Sequence, residues 1–126
     1  KDLNILHAKN DCADFSFGVY KIQNATIENC GDKAISIGEK SNLIIDNLNA
    51  KNSNIGLASK DSSIVKIKKL NFNNLQICLA AYNKKQEFSG GLIEIVNNEC
   101  KNYFKLSDID HASKIIINNK ELDKNE

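Results

Sequence analysis

A chain of 126 residues with net charge +1 and no arginine, proline, tryptophan or methionine is long enough for one domain and too short for two ordinary ones. So even a charge, with few aromatics and no basic stripe, speaks against a nucleic-acid surface. No apolar run approaches the roughly 18 residues of a membrane span, so neither nucleic acid nor membrane is expected as a partner. The chain starts at Lys1, which reads as a processed protein or a piece of a larger one.

Residues 1–10 hold one short apolar stretch, Leu3 to Leu6, read as an incomplete first turn. A recurring strand follows: Tyr20/Ile22, Leu43/Ile45, Val65/Ile67, Ile93/Ile95 and Ile115/Ile117 place apolar residues at i and i+2. That is the period of a strand with one face buried. The second place after each is polar: Asn24, Asn47, Lys69, Asn97 and Asn119. Asparagine tolerates the left-handed backbone of a sharp turn, and stacked copies predict a ladder of side-chain amides. A second short strand has the inward pairs Ala25/Ile27, Leu48/Ala50, Leu70/Phe72 and, more weakly, Asn98/Cys100. Asn29, Asn52, Asn74 and Asn102 then stand two residues past each pair.

The third strand shows the repeat most clearly. Ile35, Leu57 and Leu79 fall in one column about 22 residues apart, as do Cys12, Ala34, Gly56 and Cys78, while Ala13 and Phe15 extend the columns of Ile35 and Ile37. The turns that close each repeat differ. Residues 38–42 and 60–63 are short and polar, whereas 83–91 is longer and carries Phe88 and two glycines. Insertions in a solenoid map to loops on one face, often the binding face. The next repeat is degraded between Phe104 and His111, and residues 118–126 are a polar tail, expected to fray past Leu122.

Three short strands per repeat and about five partial layers of about 22 residues predict an all-β parallel β-helix, a solenoid whose layers complete one another's core. A helical fold lacks its i, i+3, i+4 pattern. A sandwich lacks Asn-Gly hairpin turns, and a left-handed β-helix would need a six-residue period. The four cysteines, at 12, 30, 78 and 100, have no zinc-site spacing. Cys12 and Cys78 would lie three layers apart, beyond disulfide reach. Cys12 with Cys30 is geometrically possible, and the plain expectation is small buried thiols.

Over about residues 5–122 this layer pattern resembles the right-handed parallel β-helix superfamily, the pectin-lyase-like fold. Three segments carry a narrower resemblance: 29–41 (Asn-Cys-Gly-Asp-Lys-Ala-Ile-Ser-Ile-Gly-Glu-Lys-Ser), 54–63 (Asn-Ile-Gly-Leu-Ala-Ser-Lys-Asp-Ser-Ser) and 80–91 (Ala-Ala-Tyr-Asn-Lys-Lys-Gln-Glu-Phe-Ser-Gly-Gly). They are similar to β-helical segments of large bacterial surface proteins, some joined to a CotH-like kinase domain. The resemblance implies a fragment of a larger extracellular or cell-surface protein, with any chemistry elsewhere in the parent. A fold alone does not assign a function.

Three constellations could carry chemistry. Lyases of the resembled superfamily usually use an arginine base and hydrolases paired aspartates; here Asp11 and Asp14 flank Cys12-Ala13, but Asp14 stacks on Ser36, Ala58 and Ala80, and arginine is absent. No residue is therefore assigned to catalysis, and Asp11 and Asp14 read more simply as turn caps or solvated groups. Glu39, Asp61 and Asn83 share a column that calcium could use. Lys40, Lys60, Lys84 and Lys85 crowd it, so ion pairs across turns are expected and no metal or cofactor is. Tyr82 and Phe88, with Lys84, Lys85, Gln86 and Glu87, could stack on a sugar or anchor a partner; the simpler reading folds Phe88 over the core and Tyr82 onto the turn. His7 and His111 are expected at the surface.

The reading that follows is a non-catalytic structural or binding segment presenting Glu39, Lys40, Lys60, Asp61, Tyr82, Lys84, Lys85, Glu87 and Phe88 to a glycan or partner protein. The rest of the parent chain would be its neighbour, and end-to-end self-association is possible at an uncapped end. The competing reading is a carbohydrate-active enzyme: a polysaccharide lyase, hydrolase or epimerase. A weaker one is an accessory domain of a kinase-like parent.

Overall fold

The structure, a computed structural model, describes residues 2–124. It is all β: β1 (Asp2–Ile5), β2 (Ala13–Lys60), β3 (Ile64–Tyr82), β4 (Leu92–Ile109), β5 (Lys114–Ile117) and β6 (Lys120–Glu121). The strands form one sheet in sequence order. Pairing is parallel from β1 through β5, and only β5 with β6 is antiparallel. This repetitive parallel pairing is compatible with a β-solenoid.

β2 is 48 residues long, far beyond the ordinary length of a straight strand. It changes direction where the backbone enters the left-handed region, at Phe17, Asn29, Glu39, Lys40 and Asn52. Its earlier and later parts lie side by side, since the side chain of Asn47 donates to Asn24 at 3.0 Å and that of Asn52 to Asn29 at 3.1 Å.

The register lays like on like. Leu43 lies opposite Val65, Val65 opposite Ile93, and Ile93 opposite Ile115. All four are essentially inaccessible to solvent. Leu48 opposes Leu70, Ala50 opposes Phe72, and Leu57 opposes Leu79, with Ile35 buried in the same cluster. Each fully buried aliphatic side chain contributes roughly 1.5–3 kcal/mol of transfer free energy, so the stack is held chiefly by these columns. In β4 the pattern weakens: Asn98 faces Leu70, and buried Ser107 faces Leu79.

Two asparagine columns line the corners, with different roles. Asn24 and Asn47 are linked through their amides, and Asn24 also donates to Asp2 at 3.0 Å. The left-handed backbone expected at this column is not there before Asn119. It belongs to the other column, where Asn29, Asn52, Asn74 and Asn102 have φ of 60°, 60°, 66° and 57°. At that corner the chain turns from the second strand segment to the third, and asparagine is the non-glycine residue that takes this conformation at least cost. Its amide then bridges neighbouring repeats: Asn74 donates to Asn52 at 2.8 Å, and Asn102 donates to Asn73 at 2.7 Å.

One further expectation changes. Cys12 and Cys30 are joined in a disulfide, with Cα atoms 5.5 Å apart, instead of standing as separate thiols; Cys78 and Cys100 are free. The C-terminal segment stays against the sheet through the described residues. It doubles back, so that Ile117 pairs with Lys120, Leu122 N–H donates to Ile115 O at 2.9 Å, and Lys124 Nζ donates to His111 O at 2.8 Å. Leu122 packs on the core. The last two residues of the expected tail, 125 and 126, lie outside the described residues, as does Lys1.

Asn52 tests the corner. Asn52→Ala places a Cβ-bearing residue without local polar compensation at positive φ, at roughly 1–2 kcal/mol, and removes two neutral amide bonds of about 0.5–1.5 kcal/mol each. Urea unfolding is expected to show Asn52→Ala destabilised by about 2–5 kcal/mol, with Asn52→Gly recovering only the backbone part.

Candidate functional site

The turn closing β2 is built around Asp61. Its backbone sits at φ 54° beside Ser62 at 67°, which points its carboxylate back under the long 83–91 loop. Oδ1 accepts from Lys84 N–H at 2.7 Å, Lys85 N–H at 2.9 Å and Asn83 Nδ2 at 3.3 Å. Asn83 Nδ2 also reaches the carbonyls of Lys85, Phe88 and Ser89. Asp61 is fully buried. It organises the loop from beneath and offers nothing to a solute, contrary to its expected place on a binding surface. Oδ2 is buried too and has no partner among the described residues.

The loop then laps over the neighbouring turns. Lys85 Nζ pairs with Glu39 Oε2, and Ser16 Oγ donates to Glu39 Oε1 at 3.0 Å. The hydrogen bond from Lys85, and after it that from Ser16, hold the Glu39 carboxyl below its ordinary value of 4.5. Phe88 meets Phe17 edge-on, with centroids 6.4 Å apart, and the Lys40 ammonium lies 6.0 Å from the Phe88 centroid. Ser89 is tied to Ser62 through both side-chain oxygens, at 2.9 Å, and its N–H donates to Ser62 Oγ at 2.8 Å. The return runs through Gly91, where a Cβ would lie 2.0 Å from Ser59 O; only glycine passes that close to the neighbouring backbone.

Of the loop-face residues singled out from the sequence, Glu39, Lys40, Lys85 and Phe88 are therefore brought together, but by contacts with one another. Lys84 and Glu87 stay exposed, as does Gln86. Lys60 lays its methylenes across Gly38, 3.0–3.9 Å from where a Cβ would stand. Tyr82 is half-buried; burial pushes its hydroxyl up, while the Lys33 ammonium acts the other way. Lys33 bonds Asp32 at 2.9 Å and lies 3.9 Å from Asp11. Burial opposes its charge, yet the bond to Asp32 leaves its ammonium above the ordinary value. Asp11 also accepts Lys33 N–H at 3.1 Å, from the following repeat. Asp14 is exposed, and both His7 and His111 are at the surface.

Sequence reasoning missed a second surface. A groove of about 450 Å³ runs across the outer face of the first strand segments. One row of it is Ile44, Lys66, Glu94 and Ile116, paired directly across β2 to β5. Beside that row lie Asp46, Lys68 and Val96. The clue was legible: strict alternation assigns Ile44, Val96 and Ile116 to solvent, yet they are apolar. Ile44 is 39% and Val96 58% exposed. Lys66 and Lys68 stand on β3, between Asp46 on β2 and Glu94 on β4.

Among the described residues there is no group of three or more His, Cys, Asp or Glu that could hold a metal ion, and no helix long and apolar enough to cross a membrane. Comparisons with protein-family models, with curated proteins and with solved structures find no match.

Two outcomes test the loop. A carboxyl whose value is depressed on folding adds stability above its unfolded value and loses it as pH falls through its folded one. Acidification below 4.5 is thus expected to release Lys85 from Glu39 and shift the ring-proton NMR signals of Phe88 and Phe17; in Glu39→Gln that step should vanish. Asp61→Ala strips the acceptor from three donors, at about 1–3 kcal/mol for a buried group left unpaired. Trypsin should then cut after Lys84 and Lys85 at least several-fold faster than in the native chain.

Proposed function

We propose that this chain is a non-catalytic binding and spacing segment of a larger secreted or surface protein, folded as a right-handed parallel β-helix of about five layers, of the pectin-lyase-like kind. Its ligand surface is the groove on the outer face of the first strand segments, which suits an extended chain such as a glycan or a strand of a partner protein. One observation carries this reading. The loop that would be expected to form a site spends Asp61, Glu39, Lys85 and Phe88 on internal contacts, while the groove keeps exposed apolar positions flanked by charges of both signs. Apolar surface with a few polar groups is the usual make-up of a ligand site.

Two features support the wider setting. A disulfide between Cys12 and Cys30 fits the oxidising environment of secreted and surface proteins. The alternation of Lys66 and Lys68 with Asp46 and Glu94 across β2 to β4 gives the groove charges of both signs to meet polar groups of such a chain.

The test pairs binding with turnover. Soluble neutral and acidic polysaccharides and extended peptides would be titrated into labelled protein by NMR. A ligand is expected to shift the amides of Lys66, Glu94 and Val96, and Val96→Asp should weaken its binding by about tenfold, the equivalent of 1.4 kcal/mol. No new reducing ends and no unsaturated products should accumulate. Turnover that is lost in Asp46→Asn or Glu94→Gln would replace this reading with the carbohydrate-active one.

A further inference from the structure

The groove on the outer face of the first strand segments has a make-up that selects among extended chains. Its exposed apolar positions are aliphatic, and among the described residues no aromatic ring lines it. A sugar ring offers a face of C–H groups that suits an aromatic plane. Aliphatic side chains in a groove of about 450 Å³ suit other aliphatic side chains, which they take out of water.

The charges select further. Lys66 and Lys68 stand two residues apart on β3 and are both exposed, while Asp46 and Glu94 on the flanking strands are half-buried. Among the described residues no ion pair engages any of the four. The two ammoniums are therefore the charges that a ligand meets first.

We propose that the occupant of the groove is an extended segment of a partner protein, with aliphatic residues at i and i+4 and a carboxylate at i+2; this rests on the reading of the groove as the ligand surface. Ile44 and Ile116 lie in one row, joined through Lys66 and Glu94. Three strand-to-strand steps separate them, roughly 14 Å. An extended peptide turns every second side chain to the same side, and four residues of it span roughly 13 Å. Laid along the stack, the segment sets one aliphatic side chain on Ile44 and the other on Ile116, beside Val96. Its central side chain falls between β3 and β4, within the sweep of the long Lys66 and Lys68 side chains. A carboxylate there gains two opposite charges. An ammonium there would meet two like charges and only the half-buried Glu94 as a partner, and such like-charge contacts discriminate against wrong partners.

The experiment titrates capped peptides into the isotope-labelled native chain by NMR. The first is Ser-Ile-Ser-Glu-Ser-Ile-Ser; a second has lysine for its glutamate, and a third has alanine for both isoleucines. Neutral and acidic polysaccharides form the last arm. The first peptide is expected to shift the amides of Ile44, Lys66, Glu94 and Ile116. The lysine peptide should bind about tenfold more weakly, and so, to about the same degree, should the alanine peptide. In the double variant Lys66→Gln, Lys68→Gln, checked for native circular dichroism, the preference for glutamate over lysine should disappear. Should that variant fail to fold, the peptide series on the native chain decides alone. Equal binding of the glutamate and lysine peptides, or shifts confined to residues outside the groove, would overturn the proposal. A polysaccharide that shifts the groove amides where no peptide does would overturn the occupant and leave the groove as the ligand surface. Groove amides that respond to nothing would overturn both readings.

Discussion

In-register parallel pairing is the constraint from which the rest of the structure follows. Because Leu43 must lie on Val65, Val65 on Ile93 and Ile93 on Ile115, each position along the sequence answers to the side chain above and the side chain below it. Apolar positions become continuous buried columns. Polar corners become rows of amides that satisfy one another, as Asn74, Asn52 and Asn29 do. No repeat could bury its inward residues alone, so stability is shared between neighbours. The same rule explains the fading of order toward β4, where Asn98, Cys100 and Ser107 replace the hydrophobes below them.

Function has to be built on what this rule leaves over. Inward positions are committed to packing and the asparagine corners to turning. The outward positions of the first segments are free to vary, and there Ile44, Lys66, Glu94, Val96 and Ile116 form the groove. The 83–91 loop has the composition of a recognition loop, with lysines, an acid and an aromatic, but it uses most of them to hold itself down. Composition shows what a loop could bind; the column beneath it decides what it does bind. Here a buried carboxylate and a glutamate two turns away capture it first.

Much of the fold was legible in the chain because an i, i+2 alternation and a long recurring step are both visible without coordinates. The pairs Leu57/Leu79, Leu48/Leu70 and Ala50/Phe72 could be written down from spacing alone. What could not be read was the choice between chemically identical residues. Two columns of asparagine look alike on paper, and only the backbone at Asn29, Asn52, Asn74 and Asn102 shows which one turns. The Cys12–Cys30 bond was one of several pairings that spacing allowed. The burial of Asp61 was hidden for a related reason: it depends on where nine loop residues go after leaving the repeat, and periodicity says nothing about residues that depart from it. The groove was within reach and overlooked, because attention to inward alternation hides an apolar residue that faces out.

The lapping loop also alters how the chain should come apart. In an array whose units touch only their immediate neighbours, melting can creep inward from either end, one unit at a time, with partly melted forms populated along the way. Here Phe88 reaches Phe17 and Lys85 reaches Glu39, so a segment late in the chain is buckled to one near its start. Peeling the leading edge away must first undo that buckle, and undoing it exposes the middle. The loop thereby turns a one-dimensional zipper into something closer to a single cooperative block over residues 16–91.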